Sequence, residues 1–326
     1  MTFPALTIGN FTVSLPIIQG GMAIRISTAS LAAAVAREGG IGVIAGTGMS
    51  SQELRDEIRK AKELAGDEGK IGVNVLFAAS NFAILIKEAM AAGIDLIIYG
   101  AGFSKDIFKL GKEYNCPIVP IVSSARLAKT AEKLGAAAII VEGCEAGGHL
   151  GTDRPLKELI PEIRKVTTIP IIGAGGISSG EDMYNVMKLG ANGVQIATKF
   201  AASEESNASQ EFKNVYMSSV EGDSVLINSP VGLPGRAVKT SFSEAIINGD
   251  RVEMGKCTSC LKRCNKVFCI KSALENAQMG VIDKGLVFAG IDVHKITEIL
   301  PVKEIMSRFI KEFEETSKRL GGLWND

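Results

Sequence analysis

Eight short apolar runs, each followed by a stretch with helical spacing, constrain this chain more than any other feature. They read PIIQGGM (16–22), IGVIAGTG (41–48), IGVNVLF (71–77), LIIYGAG (96–102), PIVPIVSS (117–124), AAIIVEG (137–143), PIIGAGG (170–176) and GVQIATKF (193–200). Most are continuous rather than alternating, as expected of parallel strands covered by helices. Between them, segments such as SSQELRDEIRKAKELAG (50–66), NFAILIKEAMAAG (81–93), ARLAKTAEKLG (125–135) and SGEDMYNVMKLG (179–190) space their apolar residues as a helix does and close on glycine. Ser50 and Ser179 stand where N-caps belong.

Eight strand–helix units predict an α/β fold of the (β/α)8 TIM-barrel type. A doubly wound open sheet is the competing architecture, and periodicity alone does not separate the two. The placement of unusual residues favours the barrel, because they fall at or just beyond the carboxyl ends of the runs, which converge on one face of a closed barrel. After residue 203 the alternation stops. Residues 204–285 are read as an inserted, mainly helical subdomain following strand eight, with 1–203 and 286–326 forming the barrel. The amphipathic stretch 301–322 is expected to complete the outer ring.

Composition bounds the partners. The 326 residues are 46% hydrophobic, enough to fill a sizeable core, and the 36 basic and 36 acidic side chains cancel. That balance argues against a nucleic-acid binder or a membrane-surface protein and for a small-molecule partner; a homodimer is left open. No apolar stretch reaches the roughly 18 residues of a membrane span, and a cytoplasmic location is expected.

Two ends of a site can be read from the runs. GAGGISSGED (173–182), with Gly173, Gly175 and Gly176, places consecutive unobstructed backbone N–H groups before a helix, a phosphate cradle or an ordinary β-to-α turn. Thr198 and Lys199 close the eighth run, and the loops after strands seven and eight are the usual phosphate site of these barrels. At the other end Gly21 and Met22 would let a flat ring lie against backbone. Asn74 and Gln195 are amides in apolar runs, able to hydrogen-bond a ring edge or to act as polar plugs. Glu142 is a carboxylate at a strand end. His149, one of only two histidines, follows Gly147 and Gly148 in a loop, where the side chain that titrates nearest neutral pH can serve catalysis.

IIQGGMA, IGVIAGTG, GVNV, EAGGHLG, AGGIS, VQIATKF and SPVGLPGRA, taken in order over nearly the whole chain, resemble the flavin-dependent nitronate monooxygenase (2-nitropropane dioxygenase) family and its relative, the type II enoyl-acyl-carrier-protein reductase. The resemblance implies an FMN-binding barrel. It makes Gly21, Met22, Asn74, Glu142, Gly147, Gly148, Gly175, Gly176, Gln195 and Thr198 FMN contacts, and His149 the active-site histidine.

Two chemistries fit that scaffold: oxidation of an alkyl nitronate to a carbonyl compound and nitrite, or NAD(P)H-dependent reduction of an enoyl thioester. NSPVGLPGRAV (228–238) leans toward the first, with Arg236 as a candidate substrate-anion contact. A flavin-binding or structural barrel without catalysis is the non-enzymatic alternative. KCTSCLKRCNKVFC (256–269) departs from both branches. Its Cys257, Cys260, Cys264 and Cys269 are expected to hold a [4Fe–4S] cluster, with zinc or a metal-free reduced cluster as rivals.

Overall fold

The computed structural model describes residues 3–250, 252 and 257–321. Lys256, which opens the cysteine motif, and residue 322 at the end of the last expected helix lie outside them.

The chain enters through a hairpin, β1 (Leu6–Ile8) and β2 (Phe11–Val13). The eight barrel strands are β3 (Ile17–Gln19), β4 (Ile41–Ala45), β5 (Lys70–Leu76), β6 (Leu96–Gly100), β7 (Ile118–Val122), β8 (Ile139–Glu142), β10 (Ile171–Ala174) and β11 (Gly193–Ile196). All pair in parallel, and β11 pairs with β3, so the sheet closes and the open-sheet alternative falls.

Closure sorts side chains by parity along each strand. Ile18, Ile41, Val43, Leu96, Ile98, Val119, Ile140 and Ile172 point inward and form one buried cluster with Leu6, Ile8 and Val13, so the β1–β2 hairpin plugs the end where the strands begin. The alternate residues, among them Ile17, Ile44, Val73, Ile97, Tyr99, Ile139 and Val194, face the helices. That two-sided burial explains why the runs read as continuous apolar stretches.

The ring of helices comprises α1 (Ala29–Arg37), α2 (Ser51–Ala65), α3 (Phe82–Ala91), α4 (Asp106–Glu113), α5 (Ala125–Leu134), α6 (Leu156–Arg164) and α7 (Gly180–Lys188). Ser50 caps α2 through a capping box with Glu53, and Ser179 caps α7 by accepting the Asp182 N–H. After β11 comes only a single turn, α8 (Thr198–Ala201), so the eighth outer place is filled by α12 (Val302–Leu320) packed against α7 and α1. The approach is close: a Cβ on Gly180 would lie 2.2 Å from the Phe309 carbonyl oxygen.

Between α8 and α12 lie α9 (Gln210–Met217), α10 (Ser241–Asn248) and α11 (Ile270–Met279), and the insertion is not only helical. Strands β12 (Ser224–Asn228) and β13 (Pro234–Val238) form a hairpin whose second strand pairs with β9 (Gly148–His149), making a three-stranded antiparallel sheet outside the barrel. Leu286, Val287, Ala289 and Val293, placed with the barrel by the sequence reading, pack into the two apolar clusters of the insertion. No helix among the described residues is long and apolar enough to cross a membrane.

Candidate active site

A cavity of about 560 Å³ opens where the eight strands end. Each strand end contributes a residue: Gly20, Ala45, Asn74, Gly100, Ile121, Glu142, Ala174 and Gln195. The insertion supplies the opposite wall through Val231, Leu261, Ile270, Leu274 and Phe288.

At one end lies the glycine turn after β10. Gly175 (φ +103°) and Gly176 (φ +67°) are both left-handed, a conformation that costs glycine least. Among the described residues, no partner accepts from the N–H groups of Gly175, Gly176 and Ile177. Thr198 Oγ1 accepts the Gly290 N–H at 3.0 Å, and Lys199 Nζ donates to the Ser178 carbonyl at 3.0 Å. Gly173 does not belong to this cradle. A Cβ there would lie 2.4 Å from Val186 Cγ1, so the residue faces the outer helices, as strand parity one step before Ala174 requires.

Along the floor, Gln195 is 9% exposed and its Oε1 is buried without a partner among the described residues. Asn74 lies against Gly21, whose Cβ would sit 2.4 Å from that of Asn74, so only glycine fits there. The turn carrying Gly21 and Met22 rests on Gln19 and Ser27, both 0% exposed and not anticipated from the sequence. Gln19 accepts the Val43 N–H at 2.9 Å and donates to Ser27 Oγ at 2.8 Å, and Ser27 Oγ accepts the Met22 N–H at 3.0 Å. A glutamine inside an apolar run was the available signal.

His149 lies on β9. Its Nε2 is 2.8 Å from Ser229 Oγ, and its ring meets Phe288 edge-on with centroids 5.1 Å apart. Ser229 is 1% exposed and also accepts the Val231 N–H at 3.3 Å. With one proton and a second lone pair, Ser229 Oγ can meet Nε2 as donor or acceptor, so the contact holds the ring whichever nitrogen carries the proton. Burial pushes the His149 pKa down to about 4, so the ring is neutral at pH 7. Burial acts in the opposite sense on Glu142, pushing its carboxyl up to about 8. Among the described residues the Glu142 carboxyl has no hydrogen-bond partner. Gly147 and Gly148 line the cavity, but Gly147 serves loop packing: a Cβ there would lie 2.5 Å from the Ala289 carbonyl carbon.

Besides Gly173, the structure differs from expectation at Arg236 and at the cysteines. Arg236 does not reach the cavity. Gly235 pairs with His149 and Arg236 with Gly148, so the one-residue step turns Arg236 to the other face of the sheet. There it is 8% exposed and donates from Nε to the Cys144 carbonyl at 3.1 Å. The cysteines do not form a metal site: Cys264 and Cys269 lie near enough to Cys260 to add to the burial that raises its thiol, but the group is not arranged to hold an ion. Cys257 and Cys264 are exposed, Cys260 turns into the cavity wall, and Cys269 is the N-cap residue of α11. Among the described residues no group of three or more His, Cys, Asp or Glu could hold a metal ion, so the [4Fe–4S] expectation is not carried forward.

A closed parallel barrel with one ligand cavity over its carboxyl ends, a glycine cradle and a shielded imidazole defines a TIM-barrel enzyme. The sequence profile described as nitronate monooxygenase matches residues 5–91 and 78–312. The chain belongs to the nitronate monooxygenase family and is an oxidoreductase. A probable nitronate monooxygenase from Staphylococcus aureus is 31% identical across 72% of this chain and 78% of its own length. Among solved structures, FabK from Thermotoga maritima superposes with a TM-score of 0.83 at 29% identity, covering 94% of this chain and 95% of that one. Nitroalkane oxidase from Streptomyces ansochromogenes shares the fold, with a TM-score of 0.81 at 22% identity over 95% and 98% of the two chains.

Proposed function

We propose that the protein is an FMN-dependent nitronate monooxygenase that uses dioxygen as the oxidant to convert alkyl nitronates to a carbonyl compound and nitrite. The observation that carries this reading is the neutral, serine-anchored imidazole of His149 on the wall of a cavity whose other end is a glycine cradle.

The residues present fit a flavin mononucleotide. The unpartnered Oε1 of Gln195 is an acceptor waiting for a ring N–H, and the Asn74 amide lies against the Gly21 turn. The free amides of Gly175 and Gly176, with Thr198, would hold the phosphate. When bound, the flavin supplies the redox chemistry. His149, neutral and held through Nε2 by Ser229, has Nδ1 left, which as an N–H donates to the anionic nitro oxygens of a nitronate. Ser229 holds the ring in place. Ile24, Leu261, Leu274 and Phe288 exclude water and accept the alkyl group.

The test is anaerobic mixing of flavin-loaded protein with propyl nitronate, which is expected to bleach the visible flavin bands. Bleaching by NAD(P)H with turnover of an enoyl thioester, and none by nitronate, would replace this reading with the reductase. Bound flavin inert to both would leave a non-catalytic flavin carrier.

A further inference from the structure

We infer that Asn265, in the cysteine-bearing segment 257–269, is a positioning residue for His149, acting by holding the turn that carries Ser229. The inference rests on the reading of His149 above and gives a role to a segment that the sequence singles out.

The β12–β13 ladder ends at the pair Asn228 and Pro234, so Ser229 lies in the turn just beyond it. Two bonds shape that turn: the Ser229 N–H donates to the Leu233 carbonyl at 3.2 Å, and the Gly232 N–H donates to the Ser229 carbonyl at 3.0 Å. Both stay inside the turn. Asn265 ties it to the rest of the molecule. Its backbone N–H donates to the Pro230 carbonyl at 3.2 Å, and its side-chain Nδ2 donates to the Ser229 carbonyl at 3.3 Å. Its Oδ1 accepts the Val267 N–H at 3.1 Å. A carbonyl only accepts and a backbone N–H only donates, so the contacts at its two ends give the amide one orientation.

The segment that carries Asn265 is itself held on both sides. Before it, the Cys260 carbonyl accepts the Ser80 N–H at 3.0 Å and the Lys262 N–H donates to the Ala78 carbonyl at 2.9 Å, which fasten the chain to the loop after β5. After it, Phe268 is 1% exposed and meets Phe242 edge-on with centroids 5.9 Å apart, and Ile270 opens α11. Asn265 thus brackets the Ser229 turn to two fixed parts of the cavity wall. The residue is exposed and, among the described residues, is not part of the cavity lining, so it acts by geometry rather than by touching a ligand. The 2.8 Å contact between Ser229 Oγ and His149 Nε2 weakens steeply if the turn tilts, and a small misplacement of a catalytic group lowers the rate.

The experiment is a double-mutant cycle on the full-length, flavin-loaded protein, read as kcat/KM with propyl nitronate, with His149→Ala as the reference and thermal melting as the check on folding. Asn265→Ala should lower kcat/KM by about three- to tenfold, the worth of one hydrogen bond. Asn265→Asp keeps the acceptor for Val267 and loses the donor to Ser229, so it should lose at least as much. In a Ser229→Ala background, where the hydroxyl is already gone, Asn265→Ala should change kcat/KM by less than about twofold. Losses that multiply in the double variant, an Asn265→Asp protein that matches wild type, or a silent Asn265→Ala or Ser229→Ala each overturn the inference while an impaired His149→Ala leaves the reading of His149 intact. A wild type that does not turn over the nitronate, or an undiminished His149→Ala, overturns that reading and the inference with it.

Discussion

His149 Nε2 and Ser229 Oγ stand 2.8 Å apart although 80 positions separate them in sequence. The contact exists because β9, only two residues long, is paired to β13, and the turn between β12 and β13 delivers the serine. His149→Ala is expected to lower turnover by about 10²- to 10⁴-fold while FMN stays bound. Ser229→Ala should cost about tenfold in kcat/KM, because Nε2 loses the hydroxyl that holds the ring in place. Steady-state kinetics with propyl nitronate, beside flavin absorbance of the purified variants, check both. Unchanged kcat/KM in either variant would remove the corresponding role.

The depressed His149 pKa sets a pH window. Between about 4 and its ordinary 6.5 the unfolded chain binds a proton that the folded chain refuses, so the stabilisation is present above 6.5 and is lost as pH falls through 4. His149→Phe should therefore lose stability less steeply than wild type as pH drops from 6.5 to 4, read as the difference between two thermal-unfolding curves. The acid limb of kcat/KM should likewise lie well below pH 6.5.

Glu142 gives the opposite sign. Its carboxyl, pushed up to about 8 from 4.5, holds a proton in the folded chain that the unfolded chain has released, so its contribution is present below 4.5 and lost as pH rises through 8. In flavin-free protein, the melting temperature of Glu142→Gln should gain on wild type between pH 4.5 and 8 and level off above. A difference that stays flat over that range contradicts the burial of this group.

Gly147→Ala probes the loop that carries the imidazole. The added Cβ would meet the Ala289 carbonyl carbon at 2.5 Å and the Gly290 nitrogen at 2.7 Å, both backbone atoms that cannot swing aside. A cost of about 1–3 kcal/mol is expected from denaturant midpoints, together with reduced turnover as β9 is displaced. Wild-type values for both would show that the 289–290 segment yields.

Lys262 fastens the segment 257–262, of which Thr258, Cys260 and Leu261 line the cavity. Its backbone N–H donates to the Ala78 carbonyl at 2.9 Å, and its ammonium donates to the Phe77 carbonyl at 2.6 Å while lying 3.8 Å from the Phe77 ring centroid. Lys262→Met keeps the stem and removes the charge. KM should rise by about 2- to 30-fold, and limited proteolysis near residues 257–262 should quicken.

The barrel was legible in the sequence because two-sided burial writes each strand as an apolar run, and two helix starts carry a capping serine: Ser50 and Ser179 fall where expected. The cavity residues Asn74, Glu142, His149 and Gln195 were legible for the same reason, being polar groups at the ends of apolar runs. What could not be read depends on pairing between distant segments. Strands of two or three residues such as β1, β2 and β9 leave no periodic trace. Arg236 looked like a ligand contact until the register with Gly148 turned it away. Four closely spaced cysteines do not say whether their thiols are turned toward one ion, which depends on the start of α11 and on the bridge of Leu261 to Ala79.

The pairing of β9 with β13 has an evolutionary and practical corollary. The excursion between α8 and α12 is not a detachable ornament, since the hydroxyl that steadies the imidazole and the ring packed beside it both arrive with it. A trimmed chain keeping only the eight staves would retain its cradle and lose its working end, so any shortened relative must have found another neighbour for its histidine.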